Sequence, residues 1–312
     1  MDFSKKWIIY ILLLLATISW GASFVAGRYA VGELHPLVAA SSRFILAFLV
    51  LLPILILKEG RNILVSLRDL PLLFAAGLTG IVIYNICFFT GLKYTYALNG
   101  SLIVAAGPVF TALLSSWILK EEVTIRHWLG VLLSIAGVLF IISSGSIEVL
   151  LKLNFNPGDI LITFAIFNWS IYTIVGKFTG KKFSSLLTIT YACGIGAIIL
   201  TLLAIPHYRV LEVNEISGGT IFSIIFLAVA ASAMAFVFWY HGVKYLNASK
   251  VAVFQNVVPL AAAVFSILIL GEQLKYFHLA GGLLIFLGVY TANRKKSEVL
   301  DKPANVRLKE SG

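Results

Sequence analysis

The chain has 312 residues, 60% of them hydrophobic and 12% charged, with a formal net charge of +10 and a mean hydropathy of +0.97. A soluble domain carries about 25% charged residues, so this composition excludes an ordinary soluble enzyme or binding module. The basic residues sit in short loops between apolar stretches, which is a topology signal and not a nucleic-acid footprint.

Ten stretches approach the roughly 20 apolar residues that a helical membrane span needs. In chain order they are Trp7–Arg28, Leu37–Leu57, Leu70–Thr90, Tyr96–Leu119, Trp128–Ser143, Asp159–Val175, Ser184–Ile205, Gly219–Tyr240, Ala248–Leu270 and Phe277–Asn293. The expected fold class is therefore all-α and integral to the membrane, with ten transmembrane helices. The first span follows Lys5-Lys6 as a signal peptide would, but its apolar run exceeds the usual length of about 7–15 residues and it is expected to be retained. Cys87 and Cys193 both fall inside spans and read as packing residues, with no disulfide, metal or nucleophile implied.

Taken along the chain, the polar and aromatic residues inside spans form a short set. Span one carries Ser19-Trp20 near its middle, and span two carries Arg43, whose depth admits either a functional site or snorkelling to the headgroups. Span three has Tyr84-Asn85, and span four has Pro108, which like Pro259 removes a backbone donor and admits either a tolerated kink or a paired break lining a central cavity. Span six has Asn168-Trp169 with Tyr172 one turn on, and span eight ends in Trp239-Tyr240. Span nine contains Gln255-Asn256 just before Pro259. These amides are costly in hydrocarbon unless they face a cavity or a partner. An indole N–H at mid-span likewise wants an acceptor. Arg28 and Lys177 end their spans as interface anchors. Glu121 and Glu272 are expected to accept from backbone N–H groups or to pair with nearby bases. His127 and His278 read as interfacial.

The second half of the chain repeats the first. A shift of 151 residues places Gly91, Lys93, Tyr94, Ala97, Pro108, Glu121, His127, Gly130 and Gly137 on Gly242, Lys244, Tyr245, Ala248, Pro259, Glu272, His278, Gly281 and Gly288, and 16 of the 50 positions from Gly91 to Phe140 are identical. A shift of 149 places Trp20, Gly27 and Arg28 on Trp169, Gly176 and Lys177. Five spans per copy is an odd number, so the second copy enters the membrane inverted. The organisation that follows is one five-helix repeat over residues 7–145, a second over 158–294 and a disordered basic tail over 295–312. The counterparts of Gln255 and Asn256 are Val104 and Ala105, and Arg43 aligns near Ala192, so the copies share a scaffold but not a chemistry. With the N-terminus inside, 18 of the 24 basic residues lie on the cytoplasmic side and 6 outside, which makes both termini cytoplasmic.

The sequence holds no P-loop, no HExxH and no triad spacing, and no Asp or Glu lies at the centre of a span, where coupled pumps keep their proton relays. These features point to a permeation pathway and away from an enzyme.

Thr17–Phe24, the Ser-Arg-Phe at Ser42–Phe44, the prolines of spans four and nine, Glu121 and Glu272, and the glycine pairs of spans five and ten together resemble the drug/metabolite transporter superfamily in its EamA branch. The resemblance runs from about Trp7 to Asn293. It implies a ten-helix inner-membrane carrier, mostly an exporter of amino acids, metabolites or drugs, with no cofactor. In that family the cavity is walled by spans one to four and six to nine. It would place Ser19, Trp20, Arg43, Asn168, Trp169, Gln255 and Asn256 in or near that cavity, with Tyr84, Asn85, Tyr172, Trp239 and Tyr240 extending the polar-aromatic set and Pro108 and Pro259 as hinges. The leading expectation is export of amino acids or other small polar metabolites by alternating access. The alternatives are a multidrug or lipophilic-cation exporter and, more distantly, an integral membrane enzyme. Expected partners are a small-molecule substrate and the lipid bilayer, with no nucleic acid; a homodimer stays open.

Overall fold

The computed structural model describes residues 3–118, 125–239 and 253–293. Among these residues there is no β-strand. The helices, numbered here in chain order, are α1 (Phe3–Glu33), α2 (Pro36–Glu59), α3 (Leu70–Tyr94), α4 (Ala97–Val104), α5 (Gly107–Ile118), α6 (Ile125–Ile142), α7 (Ile147–Lys152), α8 (Pro157–Thr179), α9 (Ser185–Tyr208), α10 (Gly218–Trp239), α11 (Val257–Leu270) and α12 (Tyr276–Asn293). Six of them are long and apolar enough to cross a membrane: Trp7–Glu33, Pro36–Glu59, Leu70–Tyr94, Pro157–Thr179, Ser185–Tyr208 and Gly218–Trp239. Shorter apolar helices occupy Ala97–Thr111, Trp128–Ile142, Val257–Leu270 and Tyr276–Thr291. Large apolar side chains such as Leu57, Phe222 and Leu268 are exposed on the outside of the bundle. In lipid that surface needs no cover. This is a multi-pass membrane protein.

The helix starts follow local chemistry. Pro36 and Pro157 stand at first-turn positions, where the missing N–H costs nothing. His35 accepts from Leu37 N, Asn156 from Gly158 N at 2.7 Å, Ser184 from Leu187 N at 3.0 Å and Ser217 from Thr220 N at 3.2 Å. The short helix α7, between the two copies, was not expected from apolar run length; its Ile147 and Leu151 are exposed.

The two prolines do not kink continuous helices. The first copy's helix ends at Val104 and restarts at Gly107, with Ala106 N bonded back to Ile103 O at 3.1 Å in a tightened turn. The second copy runs as a 3-10 turn over Val253–Asn256 and becomes α-helical at Val257. Pro108 and Pro259 thus fall in the first turn of a restarting helix, where the lost donor has no intrahelical partner to miss. Span four is accordingly two helices, α4 and α5.

Two further interruptions leave no mark in the hydropathy. α3 contains a π-helical segment over Gly77–Ile83, and α10 contains one over Val229–Met234. The shift of 151 superimposes them almost residue for residue. Wide turns of this kind displace backbone carbonyls from the regular ladder and concentrate at functional sites.

Packing obeys the exchange of the two copies. α6 and α12, which the shift of 151 residues makes equivalent, lie against each other with glycines at the contact. A Cβ on Gly137 would stand 2.6 Å from Gly281 O, and one on Gly288 would stand 2.5 Å from Gly130 O. Ser134 Oγ donates to Ile285 O at 3.4 Å. Residue numbers rise on one helix as they fall on the other, so the pair is antiparallel. Swapping the copies turns each contact into another of the same set. Small residues here let the backbones approach without side chains between them.

Candidate functional site

Arg43 lies in the second turn of α2 and is 7% exposed. It points inward and does not snorkel. Its Nε donates to Ser232 Oγ at 3.0 Å, its Nη1 to Asn85 Oδ1 at 3.4 Å, and its Cζ stands 5.1 Å from the centre of the Phe44 ring. Ser232 belongs to the π segment of α10, and Asn85 lies two residues past the π segment of α3. Ser232 Oγ in turn donates to Leu227 O at 2.9 Å and Asn85 Nδ2 to Ile81 O at 2.8 Å, so each polar partner is held by a carbonyl in or beside a widened turn. A guanidinium offers five N–H donors. Among the described residues Nη2 has no protein partner, and no carboxylate pairs with the group.

Aromatic rings gather beside it. The Trp20 indole donates from Nε1 to Ala231 O at 3.0 Å, again in the π segment of α10, which supplies the acceptor its depth requires. Its ring lies 5.1 Å from Trp239 and 5.7 Å from Phe236. Trp169 lies 5.3 Å from Tyr84, 5.2 Å from Tyr172 and 6.5 Å from Phe236. Phe236 therefore joins the two equivalent tryptophans. The arrangement combines one cation, several neutral donors and acceptors, and aromatic walls, a composition suited to a small amphipathic solute.

The remaining expected residues divide. Asn168 is buried and donates to Phe164 O at 3.0 Å, turning its amide to its own helix. Ser19 is half-buried one residue before Trp20, whose carbonyl accepts from Ser23 at 2.6 Å. Gln255 is exposed on the 3-10 turn and is not a partner of Arg43. Tyr240 lies outside the described residues, as do Glu121 and the 295–312 tail. So does the side chain of Asn256.

Three charged or polar residues expected near span ends have specific partners. Arg28 is not a bare interface anchor: its Nη1 donates to Leu92 O and, at 2.7 Å, to Lys93 O, closing the C-terminal end of α3. Glu272 accepts from Ala97 N at 2.8 Å and Leu98 N at 2.9 Å, the backbone role expected of it, and so caps α4 from the other copy. His278, in the first turn of α12, is buried at 5% exposure, with Nε2 2.7 Å from Asn99 Oδ1. Sequence reading missed Ser232, Phe236 and the buried Asp159. Ser232 sits in a run of small residues that carries no chemical signal by itself.

The EamA-like transporter family model matches the chain twice, over residues 7–143 and 156–294. The chain belongs to this family. An uncharacterized transporter, YyaM, of Bacillus subtilis is 35% identical over 285 residues, covering 91% of this chain and 93% of the relative. An uncharacterized transporter of Archaeoglobus fulgidus is 31% identical over 290 residues, covering 93% and 98%. A crystal structure 17% identical in sequence superposes with a TM-score of 0.64, covering 91% of this chain and 96% of its own, which speaks for the fold alone. As an EamA-type transporter the protein moves a solute and is not an enzyme.

Proposed function

We propose that this EamA-type protein is a secondary carrier of ten transmembrane helices that exports amino acids or other small carboxylate-bearing metabolites across the cell membrane. The carrying observation is the buried Arg43, held by the neutral groups Ser232 and Asn85 between the two π segments. A buried guanidinium without a carboxylate partner is most economically paired with an anionic group of the solute, where two parallel N–H bonds also fix orientation. Trp20 and Trp169 then cover the apolar part of the solute, flanked by Tyr84, Tyr172 and Trp239. Asn168, Ser19 and the amides of Gln255 and Asn256 remain candidates for its other polar atoms. The antiparallel contact of α6 with α12 and the repeat in the sequence favour two inverted five-helix halves, 7–145 and 158–294. The excess of basic residues in one set of loops favours cytoplasmic termini.

Alternating access would come from rocking of one half on the other, with no ATP or metal. Pro108 and Pro259 keep the helix breaks in α4–α5 and before α11 from annealing into straight helices. Alanine at both positions should slow transport with normal abundance. The runner-up, export of lipophilic cations, suits the aromatic walls but sets a cation against Arg43. The test is transport of labelled amino acids in inverted vesicles. Arg43→Gln should nearly abolish affinity for carboxylate-bearing solutes, whereas unchanged amino-acid transport with altered cation export would favour the runner-up.

A further inference from the structure

Away from Arg43, the structure holds a second buried polar cluster. Asp159, in the first turn of α8, is 2% exposed. It accepts from Thr95 Oγ1 and, more loosely, from Asn99 Nδ2 at 3.4 and 3.5 Å. Every one of these donors is neutral. Asn99 is oriented from the other side: Lys275 N donates to His278 Nδ1 at 3.0 Å, which leaves the proton on Nε2 to be donated to Asn99 Oδ1 at 2.7 Å. The amide of Asn99 is thereby turned with its NH₂ toward the carboxylate. The backbones pack closely beside the carboxylate: a Cβ on Gly158 would stand 2.7 Å from Gly91 O.

Thr95 and Asn99 belong to the first copy, and Asp159, Glu272 and His278 to the second, so the cluster closes a seam between the halves at one end of the bundle. The same end carries the Arg28 bond to Lys93 O, and Ser217 N donating to Glu33. The titratable and charged groups around Asp159 can be named from each neighbouring element. His278, Glu272 and Lys275 come from α12 and the turn before it, with Glu272 engaged by Ala97 N and Leu98 N. Lys93 and Tyr94 at the end of α3 are exposed. Among the described residues no base is paired with the carboxylate.

A buried carboxylate met only by neutral donors carries a charge that nothing in the protein compensates. We propose that Asp159 is a proton-binding site that couples the opening of this seam to proton uptake from the water at that end. Uptake forms an O–H bond on one carboxylate oxygen with a proton from water, and removes the buried charge. Release restores the charge, which is tolerated once the seam parts and water reaches it. Asn99 and His278 are positioning residues in this scheme and do not take up the proton. The coupling rests on the reading of the chain as a rocking carrier; the proton site does not.

The experiment uses the full chain in liposomes without substrate, with Cys87 and Cys193 replaced by alanine. An infrared difference spectrum between about pH 5 and about pH 8 should contain a carboxylic-acid carbonyl stretch that vanishes in Asp159→Asn. Spin labels on cysteines at the exposed positions Tyr96 and Leu279, on either side of the seam, should change separation with the same midpoint. That change should be lost in Asp159→Asn. If Asp159→Asn fails to fold, Asp159→Glu decides, since its band should shift in position and midpoint. A band unaltered by either variant overturns the proton site whatever Arg43 binds. A band assigned to Asp159 with a pH-insensitive label separation overturns the coupling. Failure of the Arg43 anchor would appear only in solute affinity and would leave the band in place.

Discussion

The α6–α12 contact and the Arg43 cluster are built from the same duplicated sequence and treat it in opposite ways. At α6–α12 the copies remain interchangeable: Gly137 meets Gly281, Gly288 meets Gly130, and Ser134 meets its own counterpart Ile285. Around Arg43 the scaffold is duplicated, with paired π segments and paired tryptophans, but the chemistry is single. Arg43 has no basic counterpart, and its acceptors Ser232 and Asn85 are different residues on equivalent helices. Symmetry persists where two backbones must touch, because any side chain added to one must be removed from the other. It is lost where an asymmetric solute would have to be recognised.

The largest effects should come from breaking the symmetric contact. Gly137→Ala and its counterpart Gly288→Ala place a Cβ 2.6 and 2.5 Å from the facing carbonyls of Gly281 and Gly130. Each should destabilise by about 1–3 kcal/mol, and by similar amounts if exchange symmetry holds. Thermal unfolding in detergent checks this, and a large inequality would mean the contact is not symmetric in energy. Next, Glu272→Ala removes the acceptor for Ala97 N and Leu98 N. It should cost about 1–2 kcal/mol on the same assay, while Glu272→Gln should recover part of it.

A smaller effect sharpens the asymmetry. Trp20→Phe forfeits the bond to Ala231 O, a loss of about 1 kcal/mol. Trp169→Phe should cost less, because Nε1 of Trp169 has no acceptor among the described residues. Equal losses would argue that the two indoles are interchangeable after all. The smallest effect lies at the α1–α2 turn, where the rings of His35 and His207 stack with centroids 3.4 Å apart. Burial, then His207 and Lys93, lower the pKa of His35 from 6.5. The unfolded chain thus binds this proton more readily. The His35 contribution is intact above pH 6.5 and is lost as the pH falls below it. The unfolding temperature should drop on acidification, and His35→Gln should flatten that dependence.

How much of this was legible in the sequence follows from what leaves a periodic trace. Apolar runs placed the six long helices and the order of the shorter ones, and the Pro-Gly-Asp and Pro-Leu starts are local signals. Arg43, Trp20 and Trp169 stood out because charge and indole are rare at depth; Trp20 bonds Ala231, next to the Arg43 partner Ser232, and Phe236 lies against both indoles. The π segments were invisible, since an i−5 bond changes no residue type. Asp159 was assigned to a span end, and only the fold reveals that Thr95, Asn99 and Gly91 of the other copy bury it. The sequence left kink and break both open at Pro108, because a proline inside an apolar run looks the same whether the helix bends or begins again at Gly107.

The most direct test of the account is the affinity of the Arg43→Lys variant for a carboxylate-bearing amino acid in inverted vesicles. Lysine keeps the charge but loses the planar pair of donors. The account predicts a loss of about tenfold or more, or about 1.4 kcal/mol, with normal abundance and unfolding temperature. Transport by the lysine variant at wild-type affinity would contradict the claim that this arginine anchors the solute.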